Sequence, residues 1–234
     1  MLYKRGLKTS FFVLYIYFLH FFFIFKIKMI KICITLDDVL RGKSEQICKI
    51  YQKHVNPSLN IDEIDYSSGN FQKILGFNSK SEYHKFLYDD YSFEIFAEAH
   101  PMDVSLDKKL SLWHLTLNDN EDIDDELDLI LANTMEYNTS IPFTYFFLSK
   151  IATRVREVYF PADSQKIWDK CDILITADTK LIESVPDNKI CIKINTPYNL
   201  NIKNKSGFTY NSLSEFIDDP NNLVKIISAY HGNK

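Results

Sequence analysis

Residues 30–36 (IKICITL) narrow the possible folds of this chain more than any other stretch. The run is of strand length and rich in β-branched residues, and it is not split into one apolar and one polar face. A strand of that kind is buried on both sides, as in a parallel sheet covered by helices. It stops at Asp37 and Asp38, a polar ending that suits the carboxyl tip of a buried strand.

Other strand-like runs return after a long interval, at 144–148 (TYFFL), 157–160 (EVYF), 172–176 (DILIT) and 189–194 (KICIKI). Helix-like pieces separate them, at 150–156, 164–170 and 179–184, and two more at 212–217 and 223–230 close the chain. Short strands alternating with short helices imply right-handed crossover units and a parallel sheet. Near the start, 44–55 has helical spacing and Pro57 ends it. From 57 to 140 the pattern changes to short helical pieces between polar turns, with 126–132 read as one more helix. The acidic run 119–126 lacks the glycine and the ligand spacing of a calcium loop, so it is read as solvated.

The 234 residues suffice for one domain with an insertion, and 46% apolar with 25% charged residues is ordinary for a globular chain. A net charge of -4 without a basic stripe speaks against nucleic acid as a partner. Cys33, Cys48, Cys171 and Cys191 form no CxxC pair and read as small buried hydrophobes in a reducing compartment. Residues 11–25 (FFVLYIYFLHFFFIF) are short for a membrane span and lead almost directly into the first strand. Residues 1–28 are therefore expected to be an upstream extension preceding a natural start at Met29. A membrane anchor is the alternative.

The expected organisation is a core of 29–42 and 141–234, with 43–140 as a helical cap inserted after the first strand. In an α/β sheet the site lies at the carboxyl ends of the strands. That rule selects 35–41, 149–150 and 176–179.

These same segments carry a resemblance. Residues 34–42 (ITLDDVLRG) resemble the first motif of the haloacid dehalogenase (HAD) superfamily, an apolar strand ending in Asp-x-Asp-Gly-Val. Residues 145–150 (YFFLSK) are similar to its second motif, a strand ending in Ser or Thr. Lys166, six residues before Asp172, and 196–199 (TPYN) resemble the 5'(3')-deoxyribonucleotidase branch. The matching pieces cover roughly 30–42 and 143–200. The overall style is also similar to phage-encoded members, which implies a host cytoplasm or virion location.

The resemblance implies a HAD-like Rossmannoid sheet and a definite chemistry. One aspartate attacks phosphorus and a second, two residues on, moves a proton. A hydroxyl and a lysine offset phosphate charge, and magnesium bridges the nucleophile to an acid of the fourth motif. Here the nucleophile position is Thr35. The acid/base position is Asp37, the usual glycine is Asp38, and Ser149 and Lys166 match the phosphate-holding pair. The fourth-motif acids fall on Thr176 and Ala177, with Asp178 one residue late. Arg41 is a candidate contact for an anion, or half of a surface ion pair.

Two readings follow. In the first, the chain is a degenerate, inactive member that needs no metal and acts by binding a phosphate, a nucleotide or a protein partner. In the second, it is an active magnesium-dependent nucleotidase using Asp37, Lys166 and Asp178. Asp37 and Asp38 could also serve only to cap the next helix.

Overall fold

The computed structural model describes residues 29–134, 136–151 and 153–232. The reading of 1–28 lies outside them. In chain order the sheet and its covering helices are β1 (Met29–Thr35), α1 (Lys43–His54), α2 (Phe71–Ile74), α3 (Lys80–Lys85), α4 (Ser92–Phe96), α5 (Leu106–Thr116) and β2 (Glu126–Ala132). They continue as α6 (Ile141–Lys150), β3 (Val158–Tyr159), β4 (Ile173–Thr176), α7 (Thr179–Glu183), β5 (Ile190–Ile194), β6 (Phe208–Tyr210), α8 (Leu213–Asp218) and α9 (Pro220–Gly232).

Six strands form one sheet in the order β3-β2-β1-β4-β5-β6. All five pairings are parallel. The expected α/β architecture is thus the one observed. From β1 the chain builds outward through β2 and β3, then returns to lay β4 on the other side of β1. The direction of winding reverses between β1 and β4. Side chains at the carboxyl ends of those two strands border the crevice that such a reversal opens.

Two expectations are corrected. Residues 126–132 form β2, paired along its full length with β1, and not a helix. The sheet therefore takes its second strand from inside the segment read as a cap. Its Leu and Ala content favours helix, but five of its seven residues are buried, and a position flanked by two parallel strands overrides a weak propensity. Residues 144–148 belong to helix α6 and not to a strand. Pro142 lies in its first turn, where the missing N–H costs nothing. Thr144, Phe147, Leu148 and Ile151 are buried at helical spacing, while Tyr145 and Phe146 face solvent. The two exposed aromatics make the run look continuous and hide its period. The piece at 153–157 is irregular, not helical, while α5 and β6 had no clear signal.

One face of the sheet packs Ile30, Ile32 and Ile34 against Leu110, Phe147, Phe216 and Ile226 from the covering helices. The opposite face packs Cys33, Leu174 and Cys191 against Trp168, Leu181 and Ile182. Each such side chain contributes about 1.5–3 kcal/mol on burial. A third cluster joins α1 to the segment after it, where Ile47 and Ile50 pack with Phe86 and Phe96 among edge-on and tilted aromatic rings. All four cysteines are free and buried, as expected of small apolar residues. No helix among the described residues is long and apolar enough to cross a membrane.

Candidate functional site

The β1 and β4 tips meet at two threonines. Thr35 Oγ1 donates to Thr176 Oγ1 at 3.0 Å, and Thr176 Oγ1 accepts the Asp178 N–H at 3.1 Å. Both threonines are buried, Thr176 completely. Both stand at positions where the sequence resemblance implies carboxylates, as does Ala177, buried next to Thr176.

Beyond Thr35 the chain turns sharply. Leu36 N–H continues the ladder to Ala132, and Asp38 N–H bonds back to the Arg41 carbonyl at 2.7 Å. Asp38 has φ 57, a left-handed conformation. This is the position at which the resembled motif carries glycine, a residue that adopts such a conformation without strain. Aspartate is one of the few residues that accept it.

Asp37 is engaged on both oxygens. Oδ1 accepts from Arg41 Nη2 at 2.6 Å and Nε at 3.0 Å, and Oδ2 accepts from Lys43 Nζ at 2.7 Å. Burial pushes its carboxyl up, but the Arg41 and Lys43 charges outweigh that and hold it below the usual carboxylate range. Asp37 is therefore a fixed anion at neutral pH, unsuited to lending a proton.

Arg41 is fully buried and is neither a surface ion pair nor free for a ligand. Besides Asp37 it donates to Glu136 Oε1 at 2.8 Å, Thr144 Oγ1 at 2.7 Å and the Phe96 carbonyl at 3.3 Å. Glu136 in turn accepts from Asn133, Ser140 and Thr144. A guanidinium that converges two donors on one Asp37 oxygen, with a second carboxylate behind it, can sustain burial only because every donor has a partner.

Asp38 ties three segments together. Its carboxylate accepts from the Ser44 N–H at 2.9 Å, from the Ser44 hydroxyl, and from Tyr198 Oη at 2.7 Å. Burial raises its pKa despite these bonds, and the neighbouring Asp37 charge adds to the rise. Asn199 donates to the Ala177 and Ile194 carbonyls, so the 196–199 segment closes over the β4 and β5 tips.

Of the remaining expected site residues, Ser149 and Lys166 point away from this centre, and Asp178, bonded to Thr176 through its N–H, turns its carboxylate to α7. Ser149 is exposed near the end of α6, about 7 Å along the helix from Thr144, and its hydroxyl turns back to the Phe146 carbonyl. The tip it was expected to occupy carries Ala132 and Asn133 instead. Lys166 is exposed on a 3-10 turn, Ser164–Ile167. Asp178 caps α7 through the Lys180 and Leu181 N–H groups. Glu136, Lys43 and Tyr198 complete the centre and were not singled out as site residues.

Magnesium does not fit these residues. The two tip positions offer neutral hydroxyls bonded to each other, and hard cations need hard anionic oxygens. Asp37 and Asp38 are already held by cations and hydroxyls. Among the described residues no group of three His, Cys, Asp or Glu side chains converges to hold an ion.

No family model and no curated protein matches the chain. Among solved structures it is similar to a haloacid dehalogenase-like hydrolase from Burkholderia xenovorans LB400, with a TM-score of 0.52 and 7% identity. The match covers 83% of this chain and 98% of that one. At that identity the likeness is one of fold. Topology, switch point and comparison together define an α/β protein with a HAD-like Rossmann fold. Within that class this chain is marked by hydroxyls at Thr35 and Thr176 and by an internally neutralised Asp37.

Proposed function

We propose that this chain uses a HAD-like fold for binding and does not hydrolyse phosphomonoesters. The Thr35–Thr176 hydroxyl pair carries the reading. A covalent phosphoryl transfer at this place needs an ionised oxygen that also holds a cation, and a threonine pair supplies neither. Losing a covalent nucleophile costs on the order of 10⁴ to 10⁶ in rate in hydrolases where it has been removed.

A protein partner fits the centre better than a phosphate or nucleotide. Three carboxylates, Asp37, Asp38 and Glu136, stand against two cations, Arg41 and Lys43, and both cations are committed to Asp37. A cleft of about 470 Å³ lined by Pro197, Tyr66 and α1 adds Glu45, Asp62 and Asp65. An incoming phosphate would meet net negative charge there. The narrower likeness to the deoxyribonucleotidase branch is supported by the place of residues 196–199 at the strand tips.

The test is phosphate release from a panel of deoxynucleoside monophosphates by the full chain, with and without magnesium. The reading expects no release above background, and no change in Asp37→Asn. Magnesium-dependent release that Asp37→Asn abolishes would show an active phosphatase instead.

A further inference from the structure

A groove of about 620 Å³ lies between α5, the loop after it and the α8–α9 corner, and shares no residue with the strand-tip centre. Trp113, Leu117, Phe216 and Leu223 give it a buried apolar floor. Its acids come from two elements: Asp119, Glu121 and Asp122 from the loop, Asp218 and Asp219 from the corner. Lys109 is the one cation among the lining residues, and it is bonded to Asp218 at 2.7 Å. Among the described residues no cation pairs with Asp119, Glu121 or Asp122.

Apolar surface continues from the groove along α5. Leu106, Leu110 and Trp113 of this helix pack into the core, while Leu112 and Leu115, one turn apart, are 63% and 53% exposed. A helix that only covers a sheet turns polar residues outward. Leu112 lines the groove and extends its floor toward solvent, and a continuous apolar surface with a polar rim marks a contact site. Among the described residues no strand lines the groove, whose walls are helices and a loop. They offer no open strand edge, so a guest must satisfy its own backbone hydrogen bonds, as a helix does.

We propose that this groove binds a basic amphipathic helix of a partner protein, with apolar side chains on Trp113, Leu117 and Leu112 and lysines or arginines against the loop and corner acids. Opposite charge steers and orients the guest, and apolar burial holds it. An anionic lipid surface or a phosphate-bearing ligand would meet five carboxylates there against one committed ammonium, and be repelled. The inference does not depend on the reading of the strand tips.

Calorimetric titration of the 234-residue chain tests it. The probe is a synthetic helix of about 14 residues with leucine on one face and lysine on the other. Its control replaces every lysine with glutamate. The lysine peptide is expected to bind one to one, and the glutamate peptide at least about tenfold more weakly. Glu121→Lys with Asp122→Lys, both exposed positions, should weaken the lysine peptide about tenfold. Leu112→Asn, at an exposed position, should weaken it about fivefold, a loss that charge attraction alone does not produce. No binding, equal binding of the two peptides, or an affinity unmoved by either variant would overturn the proposal. So would a concentration-dependent dimer of the chain alone that Leu112→Asn dissolves, a result that gives this face to a second copy.

Discussion

Thr35 and Thr176 face each other across the β1–β4 boundary, the Thr35 hydroxyl donating to that of Thr176 at 3.0 Å. The contact sits where the winding of the sheet reverses, the position at which open α/β sheets bind their ligands. Two uncharged groups satisfy each other at a place where two carboxylates would repel unless a cation lay between them.

That relationship predicts the response to magnesium. Millimolar magnesium should leave the Tm of the wild-type chain unchanged. Thr35→Asp combined with Thr176→Asp should lower the Tm in the absence of the ion and recover part of the loss when it is added. Thr35→Val, which removes only the hydroxyl, should cost about 1 kcal/mol. Thermal unfolding with and without magnesium checks all three. A magnesium-dependent Tm in the wild type would contradict the fit argued for this site.

The Arg41 network predicts a large stability effect far in excess of an ordinary surface ion pair. Arg41→Met leaves Glu136 buried without its cation and should cost about 3–5 kcal/mol. Arg41→Lys cannot reproduce the two-donor contact to Asp37 Oδ1 together with the bonds to Glu136 and Thr144, and should also destabilise. Pairing Arg41→Met with Glu136→Gln should restore a substantial share of the loss. Urea unfolding of the four proteins gives the answer, and an Arg41→Met variant within error of wild type would sink the assignment.

Asp37 and Asp38 predict opposite slopes of stability against pH. The Asp37 pKa is depressed in the folded chain, so its contribution is present above the unfolded carboxylate pKa and is lost as pH falls through the lower folded value. The Asp38 pKa is raised, so ionising it costs stability at neutral pH, and that cost is relieved as pH falls toward the ordinary carboxylate range. Asp38→Asn should therefore be neutral or stabilising at pH 7 and lose that advantage in acid. Asparagine also tolerates the left-handed backbone at this position. Denaturant midpoints measured from neutral to acid pH would reveal the crossing. A variant destabilised at pH 7 would mean that the bonds to Ser44 and Tyr198 outweigh the burial of the charge.

Tyr198 predicts how the inserted segment is held. Its hydroxyl bonds Asp38, its ring meets Phe71 edge-on at 6.5 Å, and Gly69 lies against it at φ 61. Tyr198→Phe should cost about 1.5 kcal/mol. It should also speed limited proteolysis within 56–79, without changing cleavage elsewhere. Uniform acceleration along the chain would point to global destabilisation and not to a local clasp.

The strand tips were legible because their signals are local. A buried strand that ends in polar residues, a threonine where the resemblance implies a carboxylate, and residues 196–199 after a strand can all be read within a few positions. Glu136 and Lys43 were not legible as site residues. Each looks like an ordinary surface charge until Asp37 and Arg41 are brought beside it. Ser149 shows the converse: its local context matched a motif, and the helix that carries it turns its hydroxyl to its own backbone.

The sequence alone determined the parallel α/β class, the identity of β1, β4 and β5, the buried state of the four cysteines and the presence of hydroxyls at the β1 and β4 tips. Those features follow from hydrophobic runs and residue types that act within one element. Tertiary structure alone decided that 126–132 is a central strand and that 144–148 is a helix, since both segments have compositions that two conformations can satisfy. It also decided that Arg41 is sealed between two carboxylates. Burial by neighbours distant in sequence chooses among locally equal conformations, and it converts a charge that looks exposed into the centre of a buried network.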